Sequence, residues 1–507
     1  ASLSLFSQPS IPCSTRAGTP EMLGLRDALA RAHELREIRA LSPLVTGGVH
    51  RLLLAVVHRV FGPKTEEHWV RLFQQGKFDA EALDSYWNEW ENRFNLFDAK
   101  RPFYQSTDKE IADAKPHPVA LLAHELASGN NDTLFDHSYA ARPEGILPAQ
   151  AARLVVAAQN YALGGGVSKP FNLCHAPLIQ GALVLVTGES LFQTLAFNMV
   201  VCDGKRPMPS DNGDAPTWER ERTPQPAKRS PHGYLEYLTW QSRRIMFEST
   251  ETGEVHTVRV LQGDAVSDES LLDPLMAYGR RDVSEGMMAL RLQPDRAVWR
   301  DAHTLLVQHS DLARSPETLN QLASVTRKAD GNLLPSGLAV VGLASDQAKV
   351  NLWRMEQLPL PEGYLSEQHL VDALNELLDS AEKTDGTLRS ALWVLAQNLL
   401  AGGSGEERKP DKQAVGQLMD SFPSRTHYWA TLASPFHEMF TRLPDDPEAA
   451  EAFWFETLRK VAWSAFRLAR DSLDGSARAL KAAALAERKL RIGLHELLPT
   501  QEGGETS

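Results

Sequence analysis

The 507-residue chain has only three cysteines, Cys13, Cys174 and Cys202, and they lie far apart. So few thiols exclude a disulfide framework. No CxxC pair begins a zinc site, and a reducing, cytoplasmic location is expected. No stretch approaches the roughly 18–20 uninterrupted apolar residues of a membrane span, so no membrane partner is expected. The opening ASLSLFSQPSIPCS lacks the basic start and long apolar run of a signal peptide. Positive charge is also scarce: 53 Lys and Arg face 65 Asp and Glu, a net charge of −12. That argues against a chain coated in nucleic acid but leaves room for a local basic groove. Lysine is missing altogether between Lys228 and Lys328. What is present is ordinary for a globular protein, with 42% hydrophobic and 23% charged residues, enough for a sizeable core. The length allows two to four domains on a soft prior.

Catalytic signatures are missing as well. HELRE at His33 and HELAS at His124 begin like a zinc-protease helix, but neither has the second His four positions on. GGSGE around Ser404 lacks the final glycine of a nucleophile elbow. Cys174 and His175 adjoin in the chain, yet neighbours in sequence need not meet in space. No His–Asp pair, carboxylate array or nuclease-like metal pattern is visible, and each isolated His reads first as structural. No catalytic residue, metal or cofactor is expected. The sequence points towards binding.

The stretch YALGGGVSKPFN (Tyr161 to Asn172) puts three glycines in a row. A Walker-type cradle fails here, because Ser168 precedes Lys169 and Pro170 stands where a hydroxyl is needed and has no N–H to offer. Gly164, Gly165 and Gly166 then mark either a bare turn or a place where something passes close to the main chain.

Periodicity predicts an α+β chain: a mixed α/β N-terminal body, residues 1–363, followed by an antiparallel helical bundle, 364–507. Helices are expected over Leu25–Ile38 and over Ser42–Gly62, with Ser42 as N-cap and Gly62 as stop. Strands are expected over Gly181–Gly188, Glu254–Gly263 and Gly337–Ala344. Asp203 to Gly233, rich in proline, reads as an extended surface connection rather than a domain, and Pro359, Pro361 and Gly363 mark the break before the bundle. Beyond it about five helical segments are expected: Glu367–Ala381, Thr387–Ala401, Ser424–Leu443, Asp446–Ser472 and Ser476–Leu498. Arg459 to Arg491 holds nine Lys or Arg against three Asp or Glu. Arg478, Lys481 and Arg488 there belong either to a solvated face or to a phosphate-facing one.

Three stretches taken together resemble one family. They are RALSPLVTGGVHRLLLAVVHRVFGP with WENRFNLFDAKRPFYQ, then HGYLEYLTWQSRRI, then GLASDQAKVNLWRMEQLPLP. They are similar to CasA, the large subunit of Cascade, the type I-E CRISPR surveillance complex, and the likeness runs from about Arg39 to the final helices. The family's usual Trp-Ile-Pro start differs here, where Ser10 precedes Ile11 and Pro12. The resemblance implies a non-enzymatic subunit that reads a short duplex motif, the PAM, from the minor groove. It implies help in opening the duplex for guide RNA pairing, and a platform for the recruited helicase-nuclease. Its partners would be guide RNA, double-stranded target DNA and the other Cascade subunits.

Residue by residue, the resemblance puts Gly164, Gly165 and Gly166 in the family's glycine loop, with Lys169 as a nearby phosphate contact or a plain surface lysine. A nearly side-chain-free backbone suits a minor groove about 6 Å wide, and degenerate readout there would admit several PAM sequences. Gln347, flanked by Asp346 and Ala348, matches a wedge inserted beneath the PAM. A basic finger would lie near EVHTVRVLQGDAV, with Arg259 or His256 in place of the missing lysine. A loop touching the guide RNA handle would span Ser128–Gly145, with Asn130 and Asn131 for hydrogen bonds and Phe135 and His137 for stacking. Two other classes stay open on the residues alone: a hydrolase whose site assembles only in three dimensions, and a protein-only helical scaffold.

Overall fold

The Pro43–Phe61 helix starts where Ser42 turns the chain: its Oγ accepts the Val45 N–H at 3.4 Å, Pro43 follows at the first helical position, and Gly62 closes the end. Every residue from Leu44 to His58 is buried. Among the described residues this is the only helix long and apolar enough to cross a membrane, and 83% of that window is packed inside the protein. It is a core helix. Gly47 sets its closest approach: a Cβ there would stand 2.5 Å from Tyr161 Oη and 3.2 Å from Leu183 Cδ2. The missing side chain lets the Pro148–Tyr161 helix lie directly against it.

The structure, a computed structural model, describes residues 3–123, 145–221, 225–249, 253–268, 270–328, 333–346, 349–401 and 410–498. They fall into two units. One holds the residues up to Val298 together with Thr304–Leu360; the other holds Trp299–His303 together with the chain from Pro361 onward.

The first unit mixes helices with small, mostly antiparallel sheets. Ile11–Thr15 pairs with Pro20–Leu23 on one side and Leu35–Ile38 on the other. The helix expected over Leu25–Ile38 is therefore shorter, Leu25–Ala30, and its last residues form a strand instead. Leu35 and Ile38 are buried there, and strand pairing overrides the helical spacing. Gly337–Asp346 runs between Leu183–Thr187 and Lys349–Leu358, and Val255–Gln262 between His117–Pro118 and Arg243–Ser249. The strands expected in these three places are present. The proline-rich connection is partly packed: Trp218 is buried and its Nε1–H donates to Tyr86 Oη at 2.7 Å.

One charged residue ties this unit together. Arg51, fully buried on the core helix, donates to Asp273 Oδ2 at 2.7 Å and to the Tyr237 carbonyl at 2.8 Å. Asp273 Oδ1 in turn accepts the Leu275 N–H at 2.8 Å.

The second unit is helical: Gln368–Leu400, Lys412–Ser421, Ser424–Arg442, Pro447–Asp471 and Ala477–Leu497. The α+β class holds, with two differences in the helices. The helices expected over Glu367–Ala381 and Thr387–Ala401 are one, because Thr384-Asp385-Gly386 is not a turn. Thr384 Oγ1 donates back to the Ser380 carbonyl at 2.8 Å, and the Asp385 carboxylate accepts from Arg425 Nε and Nη2 at 2.9 and 2.5 Å. A glycine inside a helix costs about 1 kcal/mol, and these partners offset it. The Lys412–Ser421 helix was not expected; Asp411 caps it, its Oδ2 accepting the Ala414 N–H at 3.1 Å. The short Trp299–His303 segment belongs here too. Trp299 stacks on Phe436 at 4.7 Å between ring centroids, and Arg300 lies 3.4 Å over the Trp429 ring while its Nη2 binds both Glu382 oxygens at 2.7 and 2.8 Å.

Breaking a buried pair strands the surviving charge. Asp273→Asn should destabilise the protein by about 3–5 kcal/mol in denaturant unfolding. A cost below about 1 kcal/mol would show that Arg51 is satisfied by the Tyr237 carbonyl alone.

Candidate nucleic-acid interface

The glycine loop leaves the Pro148–Tyr161 helix and folds straight back on itself. Gly165 N–H donates to the Leu173 carbonyl at 2.9 Å, Leu173 N–H to the Gly166 carbonyl at 2.8 Å, and Ala176 N–H to the Ala162 carbonyl at 2.9 Å. Each glycine has its own reason. A Cβ on Gly164 would stand 2.8 Å from the Leu173 carbonyl oxygen, and one on Gly166 would stand 2.9 Å from Leu173 Cδ1. Gly165 sits at φ +102°, a region where a side chain is strained. The bare turn is thus required by the returning chain, and several of the loop's polar groups are spent internally. Among the described residues the Gly164 and Gly165 carbonyls and the Gly166 N–H take no partner. Gly165 is exposed, and Val167 at the tip is 95% exposed.

The loop is fixed from below by the strand pair Arg243–Ser249 and Val255–Gln262. Arg243 Nη2 donates to the Leu163 carbonyl at 2.8 Å and Arg244 Nη2 to the Lys169 carbonyl at 2.9 Å. Gln262 works on both arms: its N–H donates to Ser168 Oγ at 2.8 Å, and its Oε1 accepts the Cys174 N–H at 2.7 Å. Lys228 Nζ lies 5.4 Å over the Phe171 ring, and Lys169 is exposed. These supports were not singled out from sequence. The signal was in the SRRI stretch, where two consecutive arginines open a strand and end up 3% and 6% exposed.

Their charges are treated differently. Arg244 Nη1 pairs with Asp108 at 3.0 Å and Glu110 at 2.8 Å. Arg243 has only the Ser242 and Leu163 carbonyls and the Gln262 amide oxygen, the last at 3.5 Å. Burial without a carboxylate pushes its pKa down to about 10. Its charge therefore adds to the field around the loop.

The other expected residues are placed as follows. Arg259 is no free finger: its Nε donates to Glu248 Oε1 at 2.8 Å, and its Nη1 donates to the Ala114 carbonyl. His256 Nε2 lies 3.3 Å from Glu254 Oε2. The Gly337–Asp346 and Lys349–Leu358 ladder ends at the pair Asp346 and Lys349, while Gln347 and Ala348 lie outside the described residues. So do Asn130, Asn131, Phe135 and His137. Arg478, Lys481 and Arg488 are exposed on the Ala477–Leu497 helix, at spacings that put them on one face, with no ion pair among the described residues.

The nearest thing to a nucleophile and base is Cys202, whose Sγ is 3.7 Å from His58 Nδ1. Burial pushes the thiol up to about 12 and the imidazole down to about 3. Both groups are neutral at pH 7, the opposite of an activated thiolate–imidazolium pair.

Comparison with known proteins identifies the family. The sequence profile of the CRISPR-associated protein Cse1 matches residues 4–465. CRISPR-associated protein CasA/Cse1 of Thermus thermophilus is 33% identical, over 97% of each chain. A crystal structure of CasA from Thermus thermophilus superposes with a TM-score of 0.83 at 29% identity, covering 97% of this chain and 99% of that one. Cse1 from Acidimicrobium ferrooxidans shares the fold at a TM-score of 0.80 and 22% identity, over 98% of both chains. A chain of a CRISPR RNA-guided surveillance complex shares it at 0.77 and 22%, over 97% and 99%. The chain belongs to the CRISPR-associated Cse1, or CasA, family.

Gln262→Leu removes the side-chain oxygen that accepts the Cys174 N–H and leaves the backbone bond to Ser168 in place. It should cost about 1–3 kcal/mol, the penalty for buried groups left without partners. Hydrogen exchange should quicken first at the Gly165, Leu173 and Cys174 amides. Unchanged protection there would mean that Arg243 and Arg244 hold the loop without it.

Proposed function

We propose that this chain is the large, non-catalytic subunit of an RNA-guided CRISPR surveillance complex, and that its glycine loop reads the PAM from the minor groove. The observation that carries the reading is the loop itself: a rigid, nearly side-chain-free turn whose unpartnered groups are two carbonyls and one N–H. Minor-groove floors offer acceptors at every pair and the guanine amino donor at G·C pairs. The Gly166 N–H suits the acceptors and the exposed Gly165 carbonyl suits the guanine amino group, while Gly164, which is buried, shapes the turn. Arg243, Lys169 and Lys228 supply local positive charge for the flanking phosphates in an otherwise acidic protein, while Arg244 is paired with Asp108 and Glu110.

In this reading Gln347, between Asp346 and Ala348, enters the first opened step beneath the PAM. Disrupting one stacked step costs roughly 0.6–2.2 kcal/mol, and later guide pairing nearly balances it. One side chain can thus speed initiation without adding much affinity. The Ser128–Gly145 stretch meets the guide RNA handle. The chain further serves as a platform for the recruited helicase-nuclease, in the cytoplasm. As a basic finger, Arg259 reaches DNA only by leaving Glu248 and the Ala114 carbonyl.

Gly165→Asp should abolish PAM-dependent binding of matched duplexes, since it adds strain, bulk and negative charge to the exposed turn. A folded variant with unchanged PAM preference would remove the loop from the reading surface. Reversing Arg478, Lys481 and Arg488 together should weaken DNA binding at moderate salt and flatten the slope of log K against log salt. Each lost phosphate contact lowers that slope by about 0.9 on duplex DNA. An unchanged slope would return these three residues to solvent.

A further inference from the structure

His175 stands at the base of the glycine loop and has so far entered only as a chain neighbour of Cys174. Its Nδ1 lies 3.0 Å from the backbone nitrogen of Gly164, which carries a hydrogen, so Nδ1 is the acceptor of that bond. A ring nitrogen that accepts carries no proton, and the neutral ring must then hold its proton on Nε2. The residue is partly exposed, and among the described residues no carboxylate pairs with it. The loop therefore carries, beside its backbone groups, one side-chain donor whose tautomer is fixed by the fold.

We infer that His175 is a specificity-determining residue of PAM readout, presenting a neutral Nε2–H donor to an acceptor on the minor-groove floor. The inference rests on the minor-groove reading above. Adenine N3 and the pyrimidine O2 accept such a donor, whereas an amino group on the groove floor opposes it. A protonated ring would serve poorly, because Nδ1–H would face the Gly164 N–H and push the turn open.

The surroundings hold the ring in its neutral state. Partial burial lowers its pKa below the ordinary histidine value, and the guanidiniums of Arg243 and Arg291 lower it further. Arg243 comes from the strand beneath and Arg291 from the segment that binds the Gln180 carbonyl at 3.0 Å; Cys174 adjoins in the chain. The sign follows. A histidine with a depressed pKa keeps its neutral-state contribution above about 6.5 and loses it as pH falls through the folded value. PAM discrimination should stay constant from about pH 8 to about 6.5 and fall only on further acidification.

The test uses the assembled complex with guide RNA and matched duplexes in which adenines of a preferred PAM are replaced singly by 2,6-diaminopurine. That base adds an amino group to the groove floor and leaves pairing intact. At one PAM position wild type should lose affinity by about two- to tenfold, the worth of one hydrogen bond. His175→Asn keeps an acceptor for the Gly164 N–H but lacks the Nε2 donor. It should show no loss at that position, with Gly165 amide exchange unchanged. Arg243→Gln should move the acid loss of discrimination to higher pH. An Asn variant that discriminates like wild type, or nitrogen-15 histidine spectra placing the proton on Nδ1, would overturn the inference. If instead Gly165→Asp leaves PAM preference intact, the minor-groove reading fails, whatever His175 does.

Discussion

The Arg51–Asp273 pair is the contact on which the first unit's geometry rests. A charge in the middle of the most apolar helix is costly, and only a close carboxylate makes it tolerable. Because Asp273 and the Tyr237 carbonyl both bind Arg51, two distant parts of the chain are held to one point on the core helix. Gly47 lets the Pro148–Tyr161 helix come to the same place. The glycine loop is the continuation of that helix, so its position follows from core packing rather than from its own sequence. Gln159 carries the connection outwards: its Oε1 accepts at 2.9 Å the backbone N–H of Arg243, whose guanidinium holds the loop.

The loop combines two opposed requirements. It must expose bare backbone, and exposed backbone without side chains is floppy. Rigidity comes from outside, through two arginines and Gln262, whose backbone N–H holds the loop's own Ser168 hydroxyl and whose side-chain oxygen holds the Cys174 N–H. Arg244 is neutralised by Asp108 and Glu110, whereas Arg243 is left without a carboxylate. The same strand thus supplies one residue that anchors and one that anchors and also charges the site. That division makes a local positive field compatible with a net charge of −12.

Much of this was legible in the sequence, for reasons that can be named. Ser42, Pro43 and Gly62 bracket a helix by local chemistry, and the apolar runs at Leu183 and Gly337 are strands bounded by glycine. The glycine triplet announced a special turn. What stayed hidden depends on partners far along the chain. Leu35–Ile38 has helical spacing but finds a strand to pair with, and Thr384–Gly386 looks like a turn until Arg425 arrives. Arg259 looked like a free cation only because Glu248 is not its neighbour in sequence. The buttress of the glycine loop was invisible for the same reason: its members are 75 to 94 residues away from the loop.

The placement of Trp299 bears on how the chain is made. The segment Trp299–His303 leaves the ribosome well before Glu382, Trp429, Phe436 and Trp454, the groups that surround it. Domains generally fold as units, amino-terminal first, during synthesis. Here the first unit can complete its strands while a large indole and a guanidinium wait without their cage. For that interval the nascent protein carries an adhesive apolar spot that only the final helices can cover. Chain length alone thus dictates a period of dependence on whatever shields exposed rings during translation, and a stalled or truncated product would keep that spot permanently.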